Sequence, residues 1–119
     1  MPVRAKARAA APFEVLADPV RCRIVEILAR RPQAAGEIVG MVQREFDITQ
    51  AAVSQHLRVL RTNGFASVRV DGARRIYSID ARPLQVIDAW LERFRIFWAR
   101  QLHALTHEIT RGKRRRTDT

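Results

Sequence analysis

Ile48-Thr49-Gln50-Ala51-Ala52-Val53-Ser54-Gln55-His56-Leu57-Arg58-Val59-Leu60-Arg61-Thr62-Asn63-Gly64 is the stretch whose reading decides the fold. Thr49 is a good N-cap, since its hydroxyl can accept from an amide that a helix start leaves unpaired. Ile48 and Val53 stand at the two positions of a hydrophobic staple. Val53, Leu57 and Leu60 recur at helical spacing and make one buried stripe. Asn63-Gly64 supplies a left-handed exit. Together these signals predict a helix over about 50–63. Its outward face carries Gln50, Ala51, Ser54, Gln55, Arg58 and Arg61, and the whole span holds no acidic residue.

Upstream, residues 35–46 hold Ile38, Met41, Val42 and Phe46 at amphipathic spacing. The start of that helix is poorly marked: Ala34 and Ala35 cap nothing, and Gly36 costs ~1 kcal/mol against alanine. Asp18-Pro19 marks another start, with a capping carboxylate before proline at the first helical position. Val20, Ile24, Ile27 and Leu28 follow, and Pro32 stops the segment. Phe13 and Leu16 suggest a short leading helix.

Downstream, Ala66–Val70 and Arg74–Ile79 flank Asp71-Gly72, a dipeptide suited to a tight turn with positive φ. Arg69, Arg74 and Arg75 surround that tip. The loop length is open by a residue, so the direction of each arginine is left open. From Pro83 to about Thr110 the pattern predicts one long helix. Leu84, Ile87, Leu91, Phe94, Trp98, Leu102, Leu105 and Ile109 recur every three or four residues, with Trp90 and Phe97 beside them. So wide an apolar face exceeds what a small domain needs internally and points to a dimer interface.

The 119 residues suggest a single domain, and the net charge of +10 favours a polyanionic partner, nucleic acid before membrane. Placement matters more than the sum. Residues 1–10 read as a basic arm and 111–119 as a basic tail around a domain at 11–110. Between 48 and 82, six arginines oppose only Asp71 and Asp80. No apolar run approaches the ~18 residues of a membrane span, and the N-terminal sequence lacks the apolar core of a signal peptide. The single cysteine excludes an intrachain disulfide framework and fits a reducing, cytoplasmic setting. No phosphate loop, Ser-His-Asp arrangement or close carboxylate pair is evident, so an enzyme is not expected.

The order α-α-α-α-β-β-α, mostly helical with one small hairpin, is the plan of a winged helix-turn-helix. A major groove admits one helix, and reading it calls for short amides and hydroxyls near that helix's start. Gln50, Ser54 and Gln55 are of that type. Arg58 and the wing arginines would neutralise phosphates, which positions a protein without specifying sequence.

Residues 13–110 resemble the ArsR/SmtB family of dimeric bacterial transcription regulators. The resemblance is carried by Leu-Ala-Asp-Pro-Val-Arg at 16–21, by Thr-Gln-Ala-Ala-Val-Ser-Gln-His-Leu-Arg-Val-Leu at 49–60, and by Asp-Gly-Ala-Arg-Arg-Ile-Tyr-Ser-Ile at 71–79. It implies a homodimer joined through the first and last helices, with Phe13 and Leu16 meeting Leu84, Ile87, Leu91, Phe94, Trp98, Leu102 and Leu105. It also places Thr49, Gln50, Ser54, Gln55 and His56 on the DNA face, beside Arg58, Arg69, Arg74 and Arg75. His56 borders the buried stripe, so a structural role stays open beside a DNA contact.

Members of the family repress their own operons and release DNA on sensing a signal. The expected function is therefore an autoregulatory repressor that binds an imperfect palindrome in double-stranded DNA; activation stays open. The alternatives are a metal-responsive repressor of the same family and a non-specific architectural binder. Many metal sensors carry a Cys-x-Cys pair where this chain has Ala34 and Gly36, so no thiolate site forms there. His103 and His107 share a helix face at a zinc-compatible spacing, but two histidines alone are a weak signal. No metal and no cofactor is expected. Cys22, between Arg21 and Arg23, could be a redox sensor or a small buried hydrophobe. The inducer is not readable.

Overall fold

The computed structural model of the chain describes the backbone of residues 11–117 and the side chains of 11–109. The basic arm expected at 1–10 and the side chains of the basic tail lie outside the described residues. The chain divides into two compact units, one ending at Ile87 and the other starting at Asp88.

The first unit opens with α1, residues 11–16, and α2, Pro19–Arg30. The Asp18 carboxylate accepts from the backbone N–H of Val20 at 2.8 Å and of Arg21 at 3.2 Å, with Pro19 in the first turn. This is the cap expected of Asp-Pro, and it satisfies two donors a helix start leaves orphaned. Next come β1 (Gln33–Ala34), α3 (Ala35–Glu45) and α4 (Gln50–Thr62). No side chain caps α3. The hairpin β2 (Ala66–Asp71) and β3 (Arg74–Ile79) follows, and the sheet order is β1-β3-β2, antiparallel throughout.

Val20, Ile24, Ile27 and Leu28 from α2 meet Ile38 and Val42 from α3 and Val53, Leu57 and Leu60 from α4 in one core, closed by Phe65, Ala66 and Tyr77. Ile24, Ile38, Val42, Val53 and Leu60 are wholly buried. The helical stripes read from spacing are thus the stripes that pack. Leu16 and Leu84 lie partly buried against this core.

Strand β1 has no counterpart in the sequence reading. It is two residues long, too short for any periodicity, and exists because Gln33 and Ala34 pair with Tyr77 and Ile76 of β3.

The long last helix is interrupted. α5 spans Arg82–Glu92 and α6 spans Arg95–Thr117. At the break, Arg93 N–H bonds to the Trp90 carbonyl and Phe94 N–H to that of Leu91, three residues back instead of four. Such bonds tighten the turn and interrupt the α ladder. Arg95 spans the interruption, pairing with Asp88 at 3.4 Å and Glu92 at 2.9 Å. The apolar spacing runs unbroken across the site, without glycine or proline, so nothing in the sequence announced it. α6 also continues past residue 110, where the helix was expected to end. Lysine and arginine are good helix formers and suit a helix C-terminus electrostatically.

No residue of α5 is buried. On α6, Ile96, Phe97, Leu102, Leu105 and Ile109 are each more than half exposed. The Trp90 and Phe94 rings lie 4.8 Å apart in a tilted pair.

Candidate nucleic-acid interface

Helices α3 and α4 with the turn at 46–49 form a helix-turn-helix whose second helix is fixed at both ends. The Gln43 amide donates to the Ile48 carbonyl at 3.2 Å and braces the turn. The Thr49 hydroxyl accepts from Ala52 N–H at 3.1 Å. At the exit, Phe65 N–H reaches the Leu60 carbonyl at 2.9 Å and Gly64 N–H that of Arg61 at 3.1 Å. That pair of bonds is a Schellman motif, and Gly64 takes the left-handed conformation it needs, with φ +78°. Both ends therefore form as Thr49 and Asn63-Gly64 predict.

Between these anchors the exposed arc presents Gln50, Ala51, Ser54, Gln55, Arg58 and Arg61. Gln50, Ser54, Gln55 and Arg58 make no side-chain hydrogen bond or ion pair among the described residues. The arc therefore offers free amides, a free hydroxyl and a free guanidinium group, with no carboxylate on the helix.

His56 turns the other way. Its Nδ1 lies 3.3 Å from Arg21 Nη1 and 3.9 Å from Asp18, and the ring is largely buried. Of the two roles left open for it, the geometry displays the packed one. Burial raises the Asp18 carboxyl's affinity for a proton. The Arg21 N–H bond, the attraction of His56 and the Val20 N–H bond outweigh burial and hold Asp18 below its ordinary value.

In the wing, Asp71 pairs with Arg74, leaving Gly72 and Ala73 as the two-residue loop. Gly72 has φ +63° and Ala73 does not share its sign, the pattern of a type II′ hairpin with glycine first. The register decides the faces that sequence left open. Arg69 opposes Ile76 and Arg74 opposes Asp71 on one face, while Arg75 opposes Val70 on the other. Arg69 and Arg75 are exposed and unpaired among the described residues. Arg74 instead reaches Glu37 of α3 at 2.9 Å. The other oxygen of Glu37 accepts from the buried Gln33 amide at 2.6 Å once that amide is oriented to satisfy both its ends. Glu37 thus ties β1, α3 and the wing together beside a groove of about 560 Å³ lined by Ala35, Gly36, Ala73, Arg74 and Arg75.

At the base of the wing, hydrogen bonds donated by the Arg82 side chain, and then the one from its backbone N–H, lower the Asp80 carboxyl to about 2. The contacts of Glu37 and Arg21 are not legible in the sequence. Their partners are 37 and 35 residues away, beyond any local pattern.

The remaining chemistry-bearing residues are disposed as follows. His103 and His107 stack edge to face with centroids 4.4 Å apart. No group of three or more His, Cys, Asp or Glu residues suited to a metal occurs among the described residues. The Cys22 thiol faces Glu26 at 4.0 Å, while Arg23 is held bidentate by Glu45 at 2.9 and 3.1 Å. Neither flanking arginine is directed at the sulfur. Phe13 is 37% exposed, Leu16, Leu84, Ile87, Leu91 and Trp98 are half-buried, and Phe94, Leu102 and Leu105 are exposed. No helix among the described residues is long and apolar enough to cross a membrane.

A capped, acid-free helix thus follows a tight turn, with a basic hairpin beside it. Residues 18–68 match the family described as bacterial regulatory protein, arsR family. This chain belongs to the ArsR family. It is a winged helix-turn-helix, DNA-binding regulator of transcription, a family of regulators and not of enzymes. Among its relatives, the HTH-type transcriptional regulator Rv2034 of Mycobacterium tuberculosis is 40% identical over 90 residues, which are 76% of this chain and 78% of that protein. The transcriptional repressor SdpR of Bacillus subtilis is 28% identical over 82 residues, 69% of this chain and 87% of SdpR. A solved ArsR-like transcriptional regulator from Rhodococcus sp. RHA1 superposes with a TM-score of 0.62 at 25% identity, covering 87% of this chain and 93% of that one.

Proposed function

We propose that this ArsR-family chain is a sequence-specific repressor that binds an imperfect palindrome as a homodimer and controls its own operon. The observation that carries the reading is the exposed arc of α4. Its polar groups have no partner within the described residues, and no carboxylate on that helix repels phosphate. Gln50, Ser54 and Gln55 would meet base edges in the major groove, with Thr49 and Arg58 at the flanking backbone. Two such helices would enter successive grooves ~34 Å apart. His56 would act from behind the face. Arg69 and Arg75 are free to reach a phosphate. Arg74 can exchange Glu37 for one at little cost, because an exposed ion pair is worth only ~0–1 kcal/mol.

Self-association is supported by the uncovered aromatic and aliphatic face of α5 and α6, since surfaces of this kind mark association. Repression is supported by kinship with SdpR, whose name records it.

Selection of duplexes from a random pool at two salt concentrations tests the reading. A recovered palindrome whose preference over random DNA survives at the higher salt supports it. A pool that stays unenriched, with binding lost as salt rises, replaces it with the architectural binder.

A further inference from the structure

One guanidinium joins three elements of the first unit. Arg21, in the first turn of α2, donates through Nε to the Val15 carbonyl at 2.8 Å, and its Nη1 lies 3.3 Å from His56 Nδ1. Val15 belongs to the last turn of α1, where carbonyls lack helical partners. His56 belongs to α4 and stands next to Gln55. Asp18 completes the cluster, 3.9 Å from both Arg21 and His56, and the Arg21 and His56 side chains are only 19% and 20% exposed. The side chains of Gln50, Ser54, Gln55 and Arg58, on the outward face of α4, make no hydrogen bond or ion pair among the described residues. The Arg21–His56 pair therefore gives α4 a polar tether to the helices behind it.

We propose that Arg21 is a positioning residue for sequence reading: it fixes the rotation of α4 against α1, so that a displacement of α1 is transmitted to the DNA-reading face. Side-chain tips lie ~5–6 Å from a helix axis, so turning α4 by ~10° moves Gln50, Ser54 and Gln55 by about 1 Å. Hydrogen bonds to base edges weaken steeply over such a distance, whereas the Coulombic pull of arginine on phosphate hardly changes. Arg21 therefore governs the difference between specific and non-specific affinity, and not affinity as a whole. Its planar fork reaches both partners at once; a lysine, with one ammonium, cannot.

The inference rests on α4 being a reader of sequence. The test uses the full chain with a duplex recovered from a random pool and a scrambled duplex of equal length. Arg21→Lys, His56→Phe and the double variant are compared by fluorescence anisotropy, with thermal melts alongside. Arg21→Lys should weaken the selected duplex ~10-fold and the scrambled one less than ~2-fold, the size of effect that follows from disrupting one base-edge hydrogen-bond pair. The double variant should be no worse than the poorer single, because both remove one link. An unchanged ratio of selected to scrambled affinity in Arg21→Lys overturns the proposal, as do single losses that multiply in the double variant. Should Arg21→Lys melt early, Arg21→Gln, which keeps one donor for Val15, takes its place under the same two readings. If the wild-type chain shows no preference at all, it is the proposed function that fails.

Discussion

Between residues 11 and 87 the chain buries most of its large apolar side chains; between 88 and 109 it leaves most of them exposed. The same helical spacing produces both outcomes. In α4, Val53, Leu57 and Leu60 are buried because α2, α3 and β2 surround them, and the face left over is polar and basic. In α6, Leu102, Leu105 and Ile109 repeat the spacing and stay more than half exposed. Periodicity thus reports that a face is apolar, but not whether the chain itself covers it. One unit leaves out a surface suited to a polyanion, and the other leaves out a surface suited to more protein.

The contrast is sharpest in paired truncations. Leu60→Ala should cost ~2–5 kcal/mol of unfolding free energy, since the methyls removed are fully buried. Leu102→Ala, on an exposed face, should leave the stability of the first unit alone. Any destabilisation it causes should instead depend on protein concentration, because association stabilises by mass action. Denaturant titration at two protein concentrations checks both. If Leu102→Ala destabilised the chain independently of concentration, the exposed face would belong to an internal core.

A stronger break of the second surface is Phe94→Asp, which places a charge on the apolar face. Sedimentation velocity should show association weakened by ~100-fold or more, as burying an unpaired carboxylate costs several kcal/mol. A persistent dimer would remove the α5–α6 face from the interface. On the first surface, Arg75→Ala should weaken all duplexes alike and flatten the slope of log affinity against log salt by ~1, the signature of one phosphate no longer neutralised. Arg74→Ala should do less, since its carboxylate partner Glu37 already competes for it.

The smallest effect concerns acid. Burial works to raise the folded Asp18 carboxyl, but the Arg21 N–H bond, His56 and the Val20 N–H bond together hold it below its ordinary value. Its contribution is complete above the unfolded carboxylate value of ~3.9 and is lost as pH falls through the lower folded value. Thermal stability should therefore decline below about pH 4, and Asp18→Asn should flatten that decline. An unchanged acid limb in the variant would exclude this cap as a cause.

What sequence made legible follows from range. The Asp18 and Thr49 caps, the Gly64 exit, the glycine turn and the core stripes are local in the chain, and local chemistry specifies them. β1 depends on a strand some forty residues away, and the tie of Glu37 to Arg74 on a register that only the folded hairpin defines. The break at Arg93 and Phe94 changes which carbonyl each amide meets without changing which residues are apolar. His56 shows the limit most plainly. Its place beside the exposed polar face of α4 was readable, but the direction of its ring depended on Arg21, in a different helix.

Whether α4 reads base sequence through its free polar face turns on the specificity ratio of Gln55→Ala. Affinities for the selected and scrambled duplexes are measured at two salt concentrations, for the wild-type chain and the variant. Gln55→Ala should lower selected-duplex affinity by ~1–3 kcal/mol, leave scrambled-duplex affinity in place, and keep the salt slope unchanged. Equal losses on both duplexes, or no loss on either, would show that α4 does not read sequence through that face.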